Sequence, residues 1–100
     1  MELSIEKNAD QLVARLSGRL DTAAAVEITQ DIQSLAGQAD KHIILDCTEL
    51  TYISSSGLRH FLTLRKESVL KGGKLQVKNI NNDIRQVFMM TGFVSLFEII

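Results

Sequence analysis

Residues His42-Ile43-Ile44-Leu45 form an apolar run without polar alternation, set between two stretches whose apolar residues recur at three and four positions. A run this short reads as a strand shielded on both faces. Such a strand joins parallel neighbours only through crossover segments, usually helices. The flanking stretches supply them. After Asp21-Thr22, residues Ala25, Ile28, Ile32, Leu35 and Ala39 fall on one helical stripe and leave Glu27, Gln30, Asp31 and Ser34 to solvent, with Asp21 or Thr22 as the cap. On the other side, Leu58, Phe61, Leu62 and Val69 mark the buried face of a second helix. Gly72-Gly73 closes it, because glycine enters the left-handed C-cap conformation without steric penalty.

The remaining segments extend this alternation. Leu3 and Ile5, then Leu12, Ala14 and Leu16, alternate with polar neighbours on either side of Asn8-Ala9-Asp10, which predicts an opening hairpin. Lys74 to Lys78 alternates as a further strand. Asn81 or Asn82 caps a third helix with Ile84, Val87 and Phe88 inward and Gly92 as its stop, and Phe93 to Ile100 packs the end. Strand, strand, helix, strand, helix, strand, helix predicts an α/β fold, a mixed β-sheet covered by α-helices. With 100 residues and no linker or repeat, residues 1–100 are expected to be one domain with one core.

Charge and cysteine content narrow the function. Eleven basic and 12 acidic residues give a net charge of -1 with no long run of either sign, so there is no electrostatic footprint for nucleic acid or acidic lipid. The lone Cys47 forms no internal disulfide and no leader-like segment opens the chain, so a cytoplasmic location is expected. The apolar runs fall far short of the roughly 20 residues that span a bilayer, so no membrane insertion is expected. No Cys-x-x-Cys pair, zinc spacing or phosphate-binding glycine loop is present, and no cofactor is expected.

Ser54-Ser55-Ser56 precedes the second helix. Serine is favoured there because its hydroxyl accepts from an otherwise unpartnered amide, so from residue type alone these are caps. A helix N-terminus also tolerates added negative charge, so a phosphoserine fits equally. An enzymatic alternative takes Ser56 as a nucleophile and His60, four residues on, as its base. It lacks a carboxylate to orient His60 and a Gly-x-Ser-x-Gly elbow. Arg59 lies four residues after Ser55, close to the same helical face, and reads either as a phosphate clamp or as a solvated side chain.

Ser54-Ser55-Ser56-Gly57-Leu58 resembles the phosphoacceptor motif of the STAS family of anti-sigma factor antagonists, in which an apolar strand leads through Asp-Ser-Ser-Gly-Leu into a helix. Leu16-Ser17-Gly18-Arg19-Leu20-Asp21, Gly72-Gly73, and Val87 to Phe93 with Leu96 to Ile99 are similar to further stations of that family, in family order. The resemblance implies a STAS fold and a non-enzymatic protein whose unphosphorylated form binds an anti-sigma factor and so frees a sigma factor. It implies that this anti-sigma factor is a serine kinase using ATP, that Ser55 is the phosphoacceptor, and that a phosphoserine phosphatase restores it. Ser54, Ser55, Ser56, Arg59, His60 and Thr63 are then the partner-facing residues. Ser54 departs from the family's Asp, keeping a capping oxygen and losing a charge. That departure leaves a second expectation, a phosphorylation-independent STAS adaptor in a transporter or stress-signalling complex.

Overall fold

A computed structural model describes residues 1–100. Strand β1 (Glu2–Asn8) turns through Ala9 and Asp10 into β2 (Gln11–Leu20), with Ala9 at a φ of 52° in the tight turn. Helices α1 (Thr22–Glu27) and α2 (Thr29–Gly37) lead to β3 (His42–Ile53), and α3 (Ser55–Lys71) leads to β4 (Lys74–Lys78). Helix α4 (Asn82–Thr91), a 3₁₀ turn at Phe93–Ser95 and β5 (Glu98–Ile99) complete the chain. The five strands lie in sequence order, β1 antiparallel to β2 and every later pair parallel.

This order corrects the expectation that β3 is covered on both faces. Each parallel crossover steps one strand in the same direction, and because such crossovers are right-handed, all helices fall on one face. Ile43, Leu45 and Cys47 are buried beneath them, whereas His42, Ile44 and Asp46 line the other face and are only half-buried. Ile44 is shielded sideways by its register neighbours, Val13 on β2 and Gln76 on β4. Gln76 continues that row by accepting from His42 Nε2 at 2.6 Å and donating to the Glu98 carboxylate.

The single stripe expected after Asp21 is two helices. The chain bends at Ile28 (φ -93°, ψ 7°), and the carbonyl of Ala25 accepts from Thr29 Oγ1 at 3.1 Å and from His60 Nε2 at 2.7 Å. The stripe survives the bend, since Ala25, Ile28, Ile32, Leu35 and Ala39 are all buried. On α3 the inward face is Gly57, Leu58, Phe61, Leu64 and Ser68. Leu62 and Val69, expected inside, are 38% and 67% exposed. Gly72 and Gly73 divide their work. Gly72 is the left-handed C-cap at φ 73°, whereas Gly73 is where the chain runs against the Ala39–Lys41 backbone. The far end is sealed by Phe61, Phe88, Phe93 and Phe97, with ring centroids 5.5 to 6.3 Å apart.

Asp46 and Cys47 show the two faces of β3 in their titration. Asp46 is partly desolvated, which raises its pKa. The bonds from Thr48 Oγ1 and Thr48 N, with the charges of Lys78 and Arg15, outweigh that and hold its carboxyl below the usual range. Cys47 faces the core, where burial first and the Asp46 charge second push its thiol up to about 12. The thiolate is the reactive form, so native protein should resist iodoacetamide at mildly alkaline pH and be labelled at once in denaturant. Rapid labelling of native protein would mean that β3 opens locally.

Candidate functional site

The parallel strands β2, β3 and β4 deliver three helix N-termini to one edge of the sheet, each capped by a side chain. Asp21 Oδ1 accepts from Ala24 N at 2.8 Å, Ser54 Oγ from Gly57 N at 3.2 Å, and Asn81 Oδ1 from Ile84 N at 2.8 Å. Side-chain oxygens suit these positions because first-turn amides lack intrahelical partners. Helix α3 occupies the middle of the edge. Ser54 N donates to Leu20 O at 2.8 Å, and Ser54 O accepts the first helical bond from Leu58 N at 2.9 Å. A Cβ on Gly57 would lie 2.7 Å from Leu20 Cγ and 2.9 Å from Ile53 Cγ1, so glycine is what lets the first turn sit on the strand ends.

These constraints separate the serines. Ser54 is half-buried with its hydroxyl engaged as the cap, and Ser56 is half-buried on the side facing α1. Ser55, the first residue of the helix, is exposed. A phosphate there would meet first-turn amides and the positive end of a 17-residue helix. Arg59, one turn on, is exposed and has no carboxylate within 4 Å.

Ser56, Arg59, His60 and Thr63 line one groove, opposite Val26 and Thr29. His60 is half-buried, and because a carbonyl only accepts, its contact with Ala25 O places the proton on Nε2. The lone pair is then on Nδ1, and no hydrogen bond joins Ser56 to His60, so no base is paired with the Ser56 hydroxyl. Thr63 is exposed, its hydroxyl donating to Arg59 O at 3.1 Å. No group of three or more His, Cys, Asp or Glu side chains is placed to hold a metal ion. No helix is long and apolar enough to cross a membrane.

One feature at this edge is invisible in the sequence. The Arg19 guanidinium stacks over the Tyr52 ring at 4.3 Å from its centroid, on the strand pair that ends next to Ser54. Arg19 and Tyr52 lie far apart in the chain, and only the parallel register of β2 and β3 brings them together.

The STAS domain family matches residues 2–100. BtrV of Bordetella bronchiseptica is 30% identical over 99% of this chain and 85% of its own length. The anti-sigma F factor antagonist of Paenibacillus polymyxa is 29% identical over 99% of this chain and 86% of its own. Among solved structures, the Bacillus cell fate determinant SpoIIAA in its phosphorylated form superposes with a TM-score of 0.76 at 25% identity, covering 99% of this chain and 91% of that one. The family match thus covers residues 2–100 and the structural superposition 99% of this chain. The chain belongs to the STAS domain family, whose matched members include a named anti-sigma factor antagonist.

Proposed function

We propose that this protein is an anti-sigma factor antagonist of the cytoplasm, switched off by phosphorylation of Ser55. Unmodified, it binds an anti-sigma factor and frees a sigma factor for transcription. The anti-sigma factor is also the kinase. The Ser55 hydroxyl oxygen bonds to the γ-phosphorus of the kinase's ATP, the bond to the β-phosphate oxygen breaks, ADP leaves, and the hydroxyl proton passes to a base of the kinase. A phosphoserine phosphatase hydrolyses the ester and restores the hydroxyl. The carrying observation is that Ser55 alone among Ser54, Ser55 and Ser56 is exposed, at a helix start fixed on both sides by Ser54 and Gly57. The name of the matched antagonist of Paenibacillus polymyxa supports the partner class.

Incubation with the cognate anti-sigma kinase and ATP should label the parent protein at Ser55 and leave Ser55→Ala unlabelled. Ser54→Ala should still be labelled, with lower stability from the lost cap, about 1 kcal/mol. Undiminished labelling of Ser55→Ala, mapped to Ser54 or Ser56, would overturn the assignment. The constitutive adaptor is the second reading, favoured by one observation. Ser54 brings no carboxylate to the position before the acceptor. In that case the protein binds its partner and is never labelled.

A further inference from the structure

Beside Ser55 the surface is not flat. A groove of about 380 Å³ runs between α3 and the bend joining α1 to α2. Buried Ala25 and Ile32 lie at its base, and Val26, 72% exposed, stands at its rim. Its shape is set by the fold, because the Ala25 carbonyl at the bend is held both by Thr29 Oγ1 within the bend and by His60 Nε2 from α3. The two walls are thereby tied together, and an occupant would find the groove already formed.

We propose that this groove seats a segment of the anti-sigma partner carrying an apolar side chain beside a carboxylate, with Arg59 as the charge contact. The inference rests on the partner class given above and adds where that partner docks and what it presents. Val26 offers a large apolar side chain to solvent on a helix of only six residues. None of the groove residues is acidic, and no carboxylate of this chain comes within 4 Å of Arg59. Covering Arg59 without an anion strips water from an unpaired guanidinium, so the occupant that fits brings one. Ser56 lines the groove and Arg59 lies one turn beyond Ser55, so the docking seat and the modification site share a wall. A phosphate on Ser55 then competes with the partner's carboxylate for the same guanidinium. The switch acts by withdrawing Arg59 as well as by adding charge.

The test combines calorimetry with NMR titration of ¹⁵N-labelled full-length protein, using the purified cognate anti-sigma kinase as the probe. Arg59→Glu and Val26→Asp should each bind at least about tenfold more weakly, the size expected for a contact central to an interface. Arg59→Lys should keep most of the affinity, and Arg85→Glu, the same charge change on exposed α4, should bind like the parent. Amide shifts should concentrate in residues 25–33 and 56–63. If the parent binds and is labelled at Ser55 while both groove variants bind normally, the groove is wrong and the switch stands. If the groove variants fail while Ser55→Asp and the phosphorylated protein bind like the parent, the groove stands and the switch is wrong. No binding by the parent overturns both. Groove shifts that appear on concentrating the protein alone would assign the groove to a second copy of this chain and overturn the proposal.

Discussion

Gly73→Ala is expected to lower stability by about 3 kcal/mol or more, the upper end of what overpacking does. A Cβ at Gly73 would lie 1.9 Å from Ala39 O and 2.7 Å from Lys41 O, both backbone atoms that no rotamer change can move. Relief requires the Ala39–Lys41 segment to shift away from β4. That shift would break the 3.2 Å bond from Lys74 N to Lys41 O and disturb the His42–Lys74 pairing that opens the β3–β4 ladder. In a domain of this size the loss is a fall of more than about 12 °C in Tm. Gly72→Ala is the control. Gly72 has φ 73° with open space around it, so its variant bears only the left-handed backbone strain, about 1 kcal/mol. Differential scanning calorimetry on both decides the point. If the two variants melt within about 4 °C of each other, the close approach at Gly73 does not limit stability.

That contrast shows what could be read in the sequence. The diglycine announces a helix end, and a helix does end there at Gly72. The second glycine's role depends on a loop more than thirty residues earlier, and no local pattern points to it. The α3 stripe fails for a related reason. Leu58, Phe61, Leu62 and Val69 share helical spacing, but so do Leu58, Phe61, Leu64 and Ser68, and the second set faces the core. Hydrophobicity favours the wrong stripe, because Ser68 is polar and buried while Val69 is apolar and exposed. The bend at Ile28 is likewise invisible, since His60, which helps hold it, comes from another helix. Strand β3 runs to Ile53, well past the apolar run, through polar residues that parallel pairing with β2 keeps extended. What was legible was whatever is fixed locally. The stops Gly72 and Gly92 lie where residue type puts them. Residue type narrowed the caps to Asp21 or Thr22, Ser54 to Ser56, and Asn81 or Asn82, of which the fold uses Asp21, Ser54 and Asn81. The serine cluster was legible as a helix start, whereas the groove and the Arg19–Tyr52 stack appear only when the sheet is assembled.

Ser55→Asp should fold like the parent and bind the anti-sigma partner at least about tenfold more weakly, a loss of roughly 1.4 kcal/mol. Ser55 is exposed at the first position of α3, and Ser54, not Ser55, provides the cap, so the substitution removes no bond that holds the helix. The helix N-terminus favours a carboxylate there by about 0.3–1 kcal/mol, and Arg59 one turn on is free to approach it. Stability should therefore hold or rise slightly. In the complex the same carboxylate must lose water against a surface matched to a neutral hydroxyl, and if it draws Arg59 inward the partner loses that contact too. Stability and affinity thus separate, which a general folding defect would not produce. Ser55→Ala, which adds no charge and leaves the cap intact, should bind like the parent. A phosphate carries about -1.5 to -2 charges at neutral pH against one for a carboxylate, so true phosphorylation should weaken binding further. Titration calorimetry on the parent, Ser55→Ala, Ser55→Asp and the phosphorylated protein orders the affinities. Four equal values would overturn the switch and leave a STAS adaptor that binds its partner whatever the state of Ser55.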